Sequence, residues 1–380
     1  MFARGWFGGW TGAAVLLALS AAASEGCDEV QRKKELTAAT ESKEASTAAS
    51  ASTNAASATP LPKSPAQAEK VHTRTVVARF KKPKGLAVSG GSAFVMDALS
   101  GDKDQNEVLD LLRVPVPAGG EPVRVATKLR SAGTPVIVKD DVFFATGGDK
   151  PNGAADRLVK VGADASGAAA AQVAPKALAL ADPAVASDGT NLYYLAAADD
   201  KAKVDVMRIP AAGGKPTKVA TGDRSARVLF IAADAKYVYW PEAGRLVKAP
   251  VGGGEPKEVA KVVYAWAAAS DGNYLYWSDS PGENMGTIRR IKLEGPSGPG
   301  TAVETLASGF SFPVGLALDD KSVFFVNYDA EDGAVYRVAK TGGTTATLIR
   351  GQKHPKRIAV DERHVYWINV GEGTLSLTDK

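Results

Sequence analysis

A single cysteine stands among the 380 residues, so neither a disulfide framework nor a thiolate metal site can hold this chain together. Histidine is almost as scarce: His72, His354 and His364 leave little material for imidazole chemistry. Charge of one sign is lacking as well. The 46 Lys and Arg are interspersed with 42 Asp and Glu, a formal net of +4. No basic stripe forms, which argues against nucleic acid as a partner. A membrane-spanning helix needs ~20 apolar residues, and the N-terminal run Ala13 to Ala23 is shorter than that. There is no Gly-x-Ser-x-Gly elbow, no His-Glu-x-x-His and no phosphate-binding glycine loop.

What is present begins with that run. Arg4 ahead of it gives residues 1–26 the layout of a secretory signal. Gly26-Cys27 then resembles the end of a bacterial lipoprotein signal, in which the cysteine becomes the lipid-bearing first residue. Ser24 and Glu25 stand where that motif has Leu and a small residue. Two readings follow: a lipid on Cys27, or ordinary cleavage after Ala21-Ala22-Ala23. The first is the expectation, because the one cysteine falls where an anchor is needed. Residues 27–70 read as a linker dominated by Ala, Ser, Thr, Glu and Lys, without an aromatic residue. Such a composition buries too little apolar surface to offset ordering entropy, and a flexible segment of this length spans ~35 Å root-mean-square.

Residues 71–380 repeat. An aromatic pair returns seven times, as Phe94-Val95, Phe143-Phe144, Tyr193-Tyr194, Tyr239-Trp240, Tyr276-Trp277, Phe324-Phe325 and Tyr366-Trp367, with Val replacing the second ring of the first pair. Intervals of 37 to 50 residues signal a repeat architecture. Each unit reads as four short strands. An Asp turn separates the first two (Asp188, Asp234, Asp271, Asp319, Asp361, a shortened version at Asp140, and Ser89 in the first copy). A Gly-Gly turn precedes the fourth, at Gly119-Gly120, Gly213-Gly214, Gly252-Gly253 and Gly342-Gly343. Units of this kind form the blades of a β-propeller. The last copy lacks a fourth strand, and Thr73 to Arg79 is an orphan strand. The expectation is an all-β, seven-bladed propeller whose last blade is closed by the N-terminal strand, with six or eight blades as the alternative.

Tyr276-Trp-Ser-Asp279 and Tyr366-Trp-Ile-Asn369 resemble the Tyr-Trp-Thr-Asp (YWTD) propellers of lipoprotein receptors. The first-strand pattern, as in Pro355-Lys-Arg-Ile-Ala-Val-Asp361, resembles the NHL, TolB-like and streptogramin-lyase-like propellers of bacteria. The whole layout resembles an exported bacterial propeller lipoprotein of the periplasm, outer membrane or cell surface.

In such a ring, loops joining second to third strands share a face with the connections between blades, and scaffolded loops are where binding usually lives. Residues entering the first strands are expected to rim the channel there: Lys84, Arg227, Trp266, His354, Lys356 and Arg357 are the ligand candidates. A Trp beside cations suits an anionic or sugar-like ligand; the plainer alternative is that Trp266 fills a gap beside Ala267 to Ala269. Asp102, Asp104 and Asn106 resemble the start of a calcium loop, but Glu107 replaces its glycine and Arg113 its last ligand. A solvated loop is the expectation, with no metal and no cofactor. Asp329, Glu331 and Asp332 read the same way. The third-strand cations Arg113, Lys160, Arg208, Lys248, Arg290 and Arg337 recur in so many copies that they read as part of the unit rather than as a binding ring.

The leading expectation is a monomeric, non-enzymatic, envelope-anchored module. It binds a protein, carbohydrate or small molecule and meets the membrane only through its N-terminal lipid. The alternative is a hydrolase or lyase with a channel-mouth active site. Lactonase-like and streptogramin-lyase-like propellers imply such a site, with His354 near it.

Overall fold

Among the described residues twenty-eight strands, β1 to β28, follow one another in chain order and form seven four-stranded antiparallel sheets. The computed structural model describes residues 72–380 other than 101–106, 148–155, 179–183, 224–229, 243, 283 and 294–301. The signal, Cys27, the linker, Arg227 and the Asp102-Asp104-Asn106 triplet therefore lie outside the described residues. Among those described there is no helix.

Blade 1 holds β2–β5 (residues 83–130), blade 2 β6–β9 (136–175), blade 3 β10–β13 (185–223), blade 4 β14–β17 (232–261), blade 5 β18–β21 (265–310) and blade 6 β22–β25 (313–352). Blade 7 takes β26–β28 (355–379) from one end of the chain and its outermost strand, β1 (Thr75–Arg79), from the other. Thr75 lies opposite Leu377 and Arg79 opposite Thr374. The expected closure is observed, and the six- and eight-bladed alternatives fall. Arg74 strengthens the seam with hydrogen bonds to Thr374 and Ser376, each 3.0 Å, and an ion pair with Glu372.

The aromatic pair works because successive side chains on a strand face opposite ways. The first ring faces the next blade and the second faces the one before. Phe94 thus shares a core cluster with Phe144, Tyr193 with Trp240, Tyr239 with Trp277, and Tyr276 with Phe325. Tyr366 meets Val95 where the ring closes. All these side chains are buried, and burying each large one contributes about 1.5–3 kcal/mol.

The Asp turns brace the same rings. Asp188 Oδ1 accepts the backbone N–H groups of Thr190 and Asn191 at 2.8 and 2.6 Å, and Oδ2 accepts the Tyr193 hydroxyl at 2.7 Å. The pattern recurs at Asp234–Tyr239, Asp271–Tyr276 and Asp361–Tyr366, with 2.6, 3.0 and 2.6 Å to the phenol. Burial alone would raise the carboxyls of Asp188, Asp271 and Asp361. Hydrogen bonding outweighs it and holds Asp188, Asp271 and Asp361 below the usual carboxylate range. One glycine turn differs from expectation. The left-handed pair in blade 4 is Gly253-Gly254, one residue later than Gly252-Gly253. Gly253 N–H bonds Pro250 O as Gly213 N–H bonds Pro210 O, and this sets the register.

Candidate functional site

The first strands of neighbouring blades touch in a closed cycle, β2, β6, β10, β14, β18, β22, β26 and back to β2, so they line the central channel. They are not alike. β2 (Pro83–Ser89), β18 (Ala265–Ser270), β22 (Pro313–Leu318) and β26 (Pro355–Val360) have six or seven residues. β6 (Val136–Val138), β10 (Val185–Ser187) and β14 (Ala232–Ala233) have only two or three. Blades 5, 6, 7 and 1 are consecutive around the ring, so the long inner strands stand together on one side of the channel.

Each long inner strand carries a bulge at its second residue. Pro83 pairs with Asp97 and Gly85 with Met96, leaving Lys84 between them. Trp266, Val314 and Lys356 are the bulged residues of blades 5, 6 and 7. Bulges re-aim a side chain and are common beside functional sites. Three of the sequence candidates, Lys84, Trp266 and Lys356, thus occupy one equivalent position on three blades. All three are half-buried. Lys84 is ion-paired with Glu107, whose other oxygen lies 4.0 Å from Lys82 Nζ. Trp266 Nε1 is buried with no hydrogen-bond partner.

The residue after the bulge is the next point of difference. In blade 1 it is Gly85, where an added Cβ would lie 2.8 Å from the Cα of Thr134 at the entry to blade 2. In blade 6 it is Gly315, equally close to the carbonyl oxygen of Lys356 in blade 7. Blade 5 has Ala267. Blade 7 has Arg357, whose Nε donates to Thr134 Oγ1 at 3.2 Å. Blades 7 and 2 are not neighbours, so the Arg357 side chain passes the inner edge of blade 1 and lies within the channel.

His354 sits in the connection between β25 (Ala346–Gln352) and β26, as expected for a channel-entry residue, with a left-handed φ of 52°. Its N–H donates to Asp329 O at 2.8 Å, and its carbonyl accepts from Val370 N at 3.0 Å. The imidazole packs on Tyr328, centroids 4.7 Å apart. Asp329 Oδ1 closes its own turn by accepting the N–H groups of Glu331 and Asp332. Among the described residues no group of three or more His, Cys, Asp or Glu is gathered as a metal site.

Polar residues three places after the first ring hold the connections between blades. Asp97 accepts the backbone N–H groups of Lys81 and Lys82 at 3.1 and 2.7 Å. Asp279 does the same for Val263 and Tyr264, and Asn327 for Phe312. The acid of the Tyr-Trp-Ser-Asp motif is therefore a clamp. Burial raises Asp97 despite its two backbone donors.

Four of the six third-strand cations bond the next blade. Each is cross-strand from a first ring, as Arg208 is from Tyr193 and Arg290 from Tyr276, so it shares the face that meets the next blade. Arg113, Arg208, Lys248 and Arg290 each donate to a backbone carbonyl there: Ala163, Val251, Leu293 and Lys340 respectively. Lys160 instead bonds Asp141 within its own blade.

One feature of the loop face escapes sequence reasoning. Val263, Tyr264 and Met285 are 57%, 38% and 61% exposed. They lie on two loops joined by Ser280 N–H to Tyr264 O. Scattered single apolar residues carry no periodic signal, and only the fold gathers them.

No protein-family model matches the chain, and no curated protein matches it by sequence. Solved structures do match. A GH74 enzyme of Niastella koreensis superposes with a TM-score of 0.58 at 12% identity, over 81% of this chain and 53% of that one, so the chain spans about half its length. A catalytically inactive virginiamycin B lyase of Staphylococcus aureus, solved with quinupristin, gives 0.55 at 12% identity over 81% and 99%. BamB of Moraxella catarrhalis gives 0.48 at 14% identity over 81% and 98%. At these identities the likeness is one of fold. Fold and closure together define a seven-bladed β-propeller.

Proposed function

We propose that this chain is an exported, envelope-anchored propeller that binds a ligand or partner at its loop-bearing face without transforming it. The observation that carries the reading is the run of bulged inner strands. Four consecutive blades present a bulged residue at the channel, and the set includes Lys84, Trp266 and Lys356 beside Arg357. Side chains re-aimed together at the mouth of one channel suit a recognition surface.

The anchoring half of the proposal rests on the signal-like N-terminus and Cys27. The described chain enters beside its own end, with His72 Nδ1 3.1 Å from Asp379 O. That place lies at the opposite end of β1 from the inter-blade connection. Mass spectrometry of the mature chain tests this. A lipid on Cys27 is expected; an unmodified terminus at Ser24 ends the anchor proposal.

The left-handed backbone of His354 favours a second reading, because strained residues collect at functional sites. On that reading the protein is a hydrolase or lyase acting at the channel mouth. Turnover of an ester, lactone or cyclic depsipeptide that vanishes in His354→Ala would establish it and displace the first.

A further inference from the structure

We propose that His364 is a pH-sensitive tie at the closure of the ring. Protonation of its imidazole binds the end of β28 to β27, and blade 7 then holds β1 more firmly in mildly acidic than in neutral surroundings. The inference stands apart from any ligand of the channel.

The seam between blades 7 and 1 departs from the repeat. Arg113, Arg208, Lys248 and Arg290 each lie cross-strand from a first ring and bond the following blade. In blade 7 the residue cross-strand from Tyr366 is Leu377. A titratable group stands two residues before Tyr366 instead, on the same face of β27 (His364–Asn369). Tyr237 and Tyr274 hold that position in blades 4 and 5, beneath Lys248 and Arg290. Blade 7 thus exchanges the two roles: an aliphatic residue takes the cation's place, and a ring that can become a cation takes the tyrosine's.

The His364 ring lies between two carboxylates. Nδ1 is 3.4 Å from Asp361 Oδ1 in its own turn, and Nε2 is 3.7 Å from Asp379 Oδ1 at the end of β28. The Tyr366 hydroxyl, 3.3 Å from Nδ1, donates to Asp361. A neutral imidazole has one N–H, so one of its nitrogens turns a lone pair toward an anion; the imidazolium donates to both sides. Asp379 is also held at its carbonyl oxygen, by His72 Nδ1. Firmer placement of Asp379 therefore reaches the residues that enter β1. Lys380 Nζ is engaged by Asp319 of blade 6. Blade 1 meets this face with the apolar Val95, Val114 and Val116. Glu362 and Arg363 in the same turn, and Glu121 in the blade 1 turn beside β1, are exposed; among the described residues neither Glu pairs with His364. An imidazolium with anionic partners only in the folded chain contributes stability below the ordinary histidine value of about 6.5, and the contribution is lost as pH rises past it.

Hydrogen exchange on the full chain tests the proposal, read at about pH 5.5 and about pH 8 and corrected for intrinsic rate. The Asp379 side chain is 75% exposed, so the effect is modest: amides of Thr75–Arg79 and Thr374–Asp379 are expected to gain roughly three- to fivefold protection at the lower pH, relative to those of blade 3. His364→Gln and Asp379→Asn are each expected to abolish the difference, and His72→Gln to keep it. Equal protection of the parent chain at both pH values overturns the proposal. A difference that survives in His364→Gln, or in Asp379→Asn where the first variant does not fold, overturns it too. Loss of the difference in His72→Gln alone assigns the titration to His72 and overturns the role of His364.

Discussion

Arg208 of blade 3 donates from Nη1 to the carbonyl oxygen of Val251 in blade 4, at 3.1 Å. The side chain leaves its strand on the face where Tyr193 packs, so one blade surface carries both the apolar seal and the polar strap to its neighbour. Hydrogen bonds to charged groups contribute about 1.5–3 kcal/mol. Arg208→Met is expected to lower stability by about 1–2 kcal/mol, since the guanidinium is only part-buried. Urea denaturation reads this directly; an unchanged midpoint would make the strap incidental.

The aromatic seals are worth more. Trp277 is fully buried and packs toward blade 4, in the cluster of Tyr239. Trp277→Ala is expected to cost about 3–5 kcal/mol. Tyr276→Phe keeps the ring and removes only the bond to Asp271, and about 0.5–1.5 kcal/mol is expected there. The ratio of the two losses, measured by the same denaturation, checks that packing rather than the phenol bond dominates.

Acid should loosen the ring at its Asp turns. Asp188, Asp271, Asp319 and Asp361 have carboxyls held below their ordinary values: burial pushes upward, and hydrogen bonds or ion pairs more than offset it. A depressed folded value means that the stability is fully present above the unfolded value of about 3.9 and is lost as pH falls below it. Asp97 is raised and acts in the opposite sense, its penalty easing as pH falls through its folded value. Four turns against one give a melting temperature that falls below about pH 4. Asp361→Asn should be less stable at neutral pH and should flatten that fall.

Gly119 tests how blades fit at their outer edge. Its φ is +76°, and an added Cβ would lie 2.8 Å from Val77 O on the closing strand. Gly119→Ala is expected to destabilise by more than the ~1 kcal/mol of an ordinary backbone effect, because conformation and contact both oppose it. A melting temperature equal to that of the parent would show that the turn and β1 separate without cost.

The architecture was readable because its signals are local and repeated. Paired rings fall at intervals of one blade, and the orphan strand at 73–79 matches the fourth strand missing at the other end. Gly252-Gly253-Gly254 shows where local reading stops. Three consecutive glycines offer two registers, and only the turn bond to Pro250 selects between them. The clamps stand three places after the first ring in blades 1, 5 and 6, at Asp97, Asp279 and Asn327, but their partners belong to the preceding connection. Lys84, Trp266 and Lys356 were legible as entry residues. Their common bulge was not, because it depends on which partner each flanking residue meets. The bond from Arg357 to Thr134 joins residues 223 apart and exists only once the ring has closed.

The strand that fastens the disc is also the first of the described strands. A load applied upstream of His72 has two routes into the ring: the ladder between Thr75–Arg79 and Thr374–Leu377, and the backbone of residues 80–82 that leads into blade 1. Only the ladder and the grip of Arg74 keep β1 on blade 7, so that five-residue latch is where the ring opens, however firmly the remaining wedges are packed.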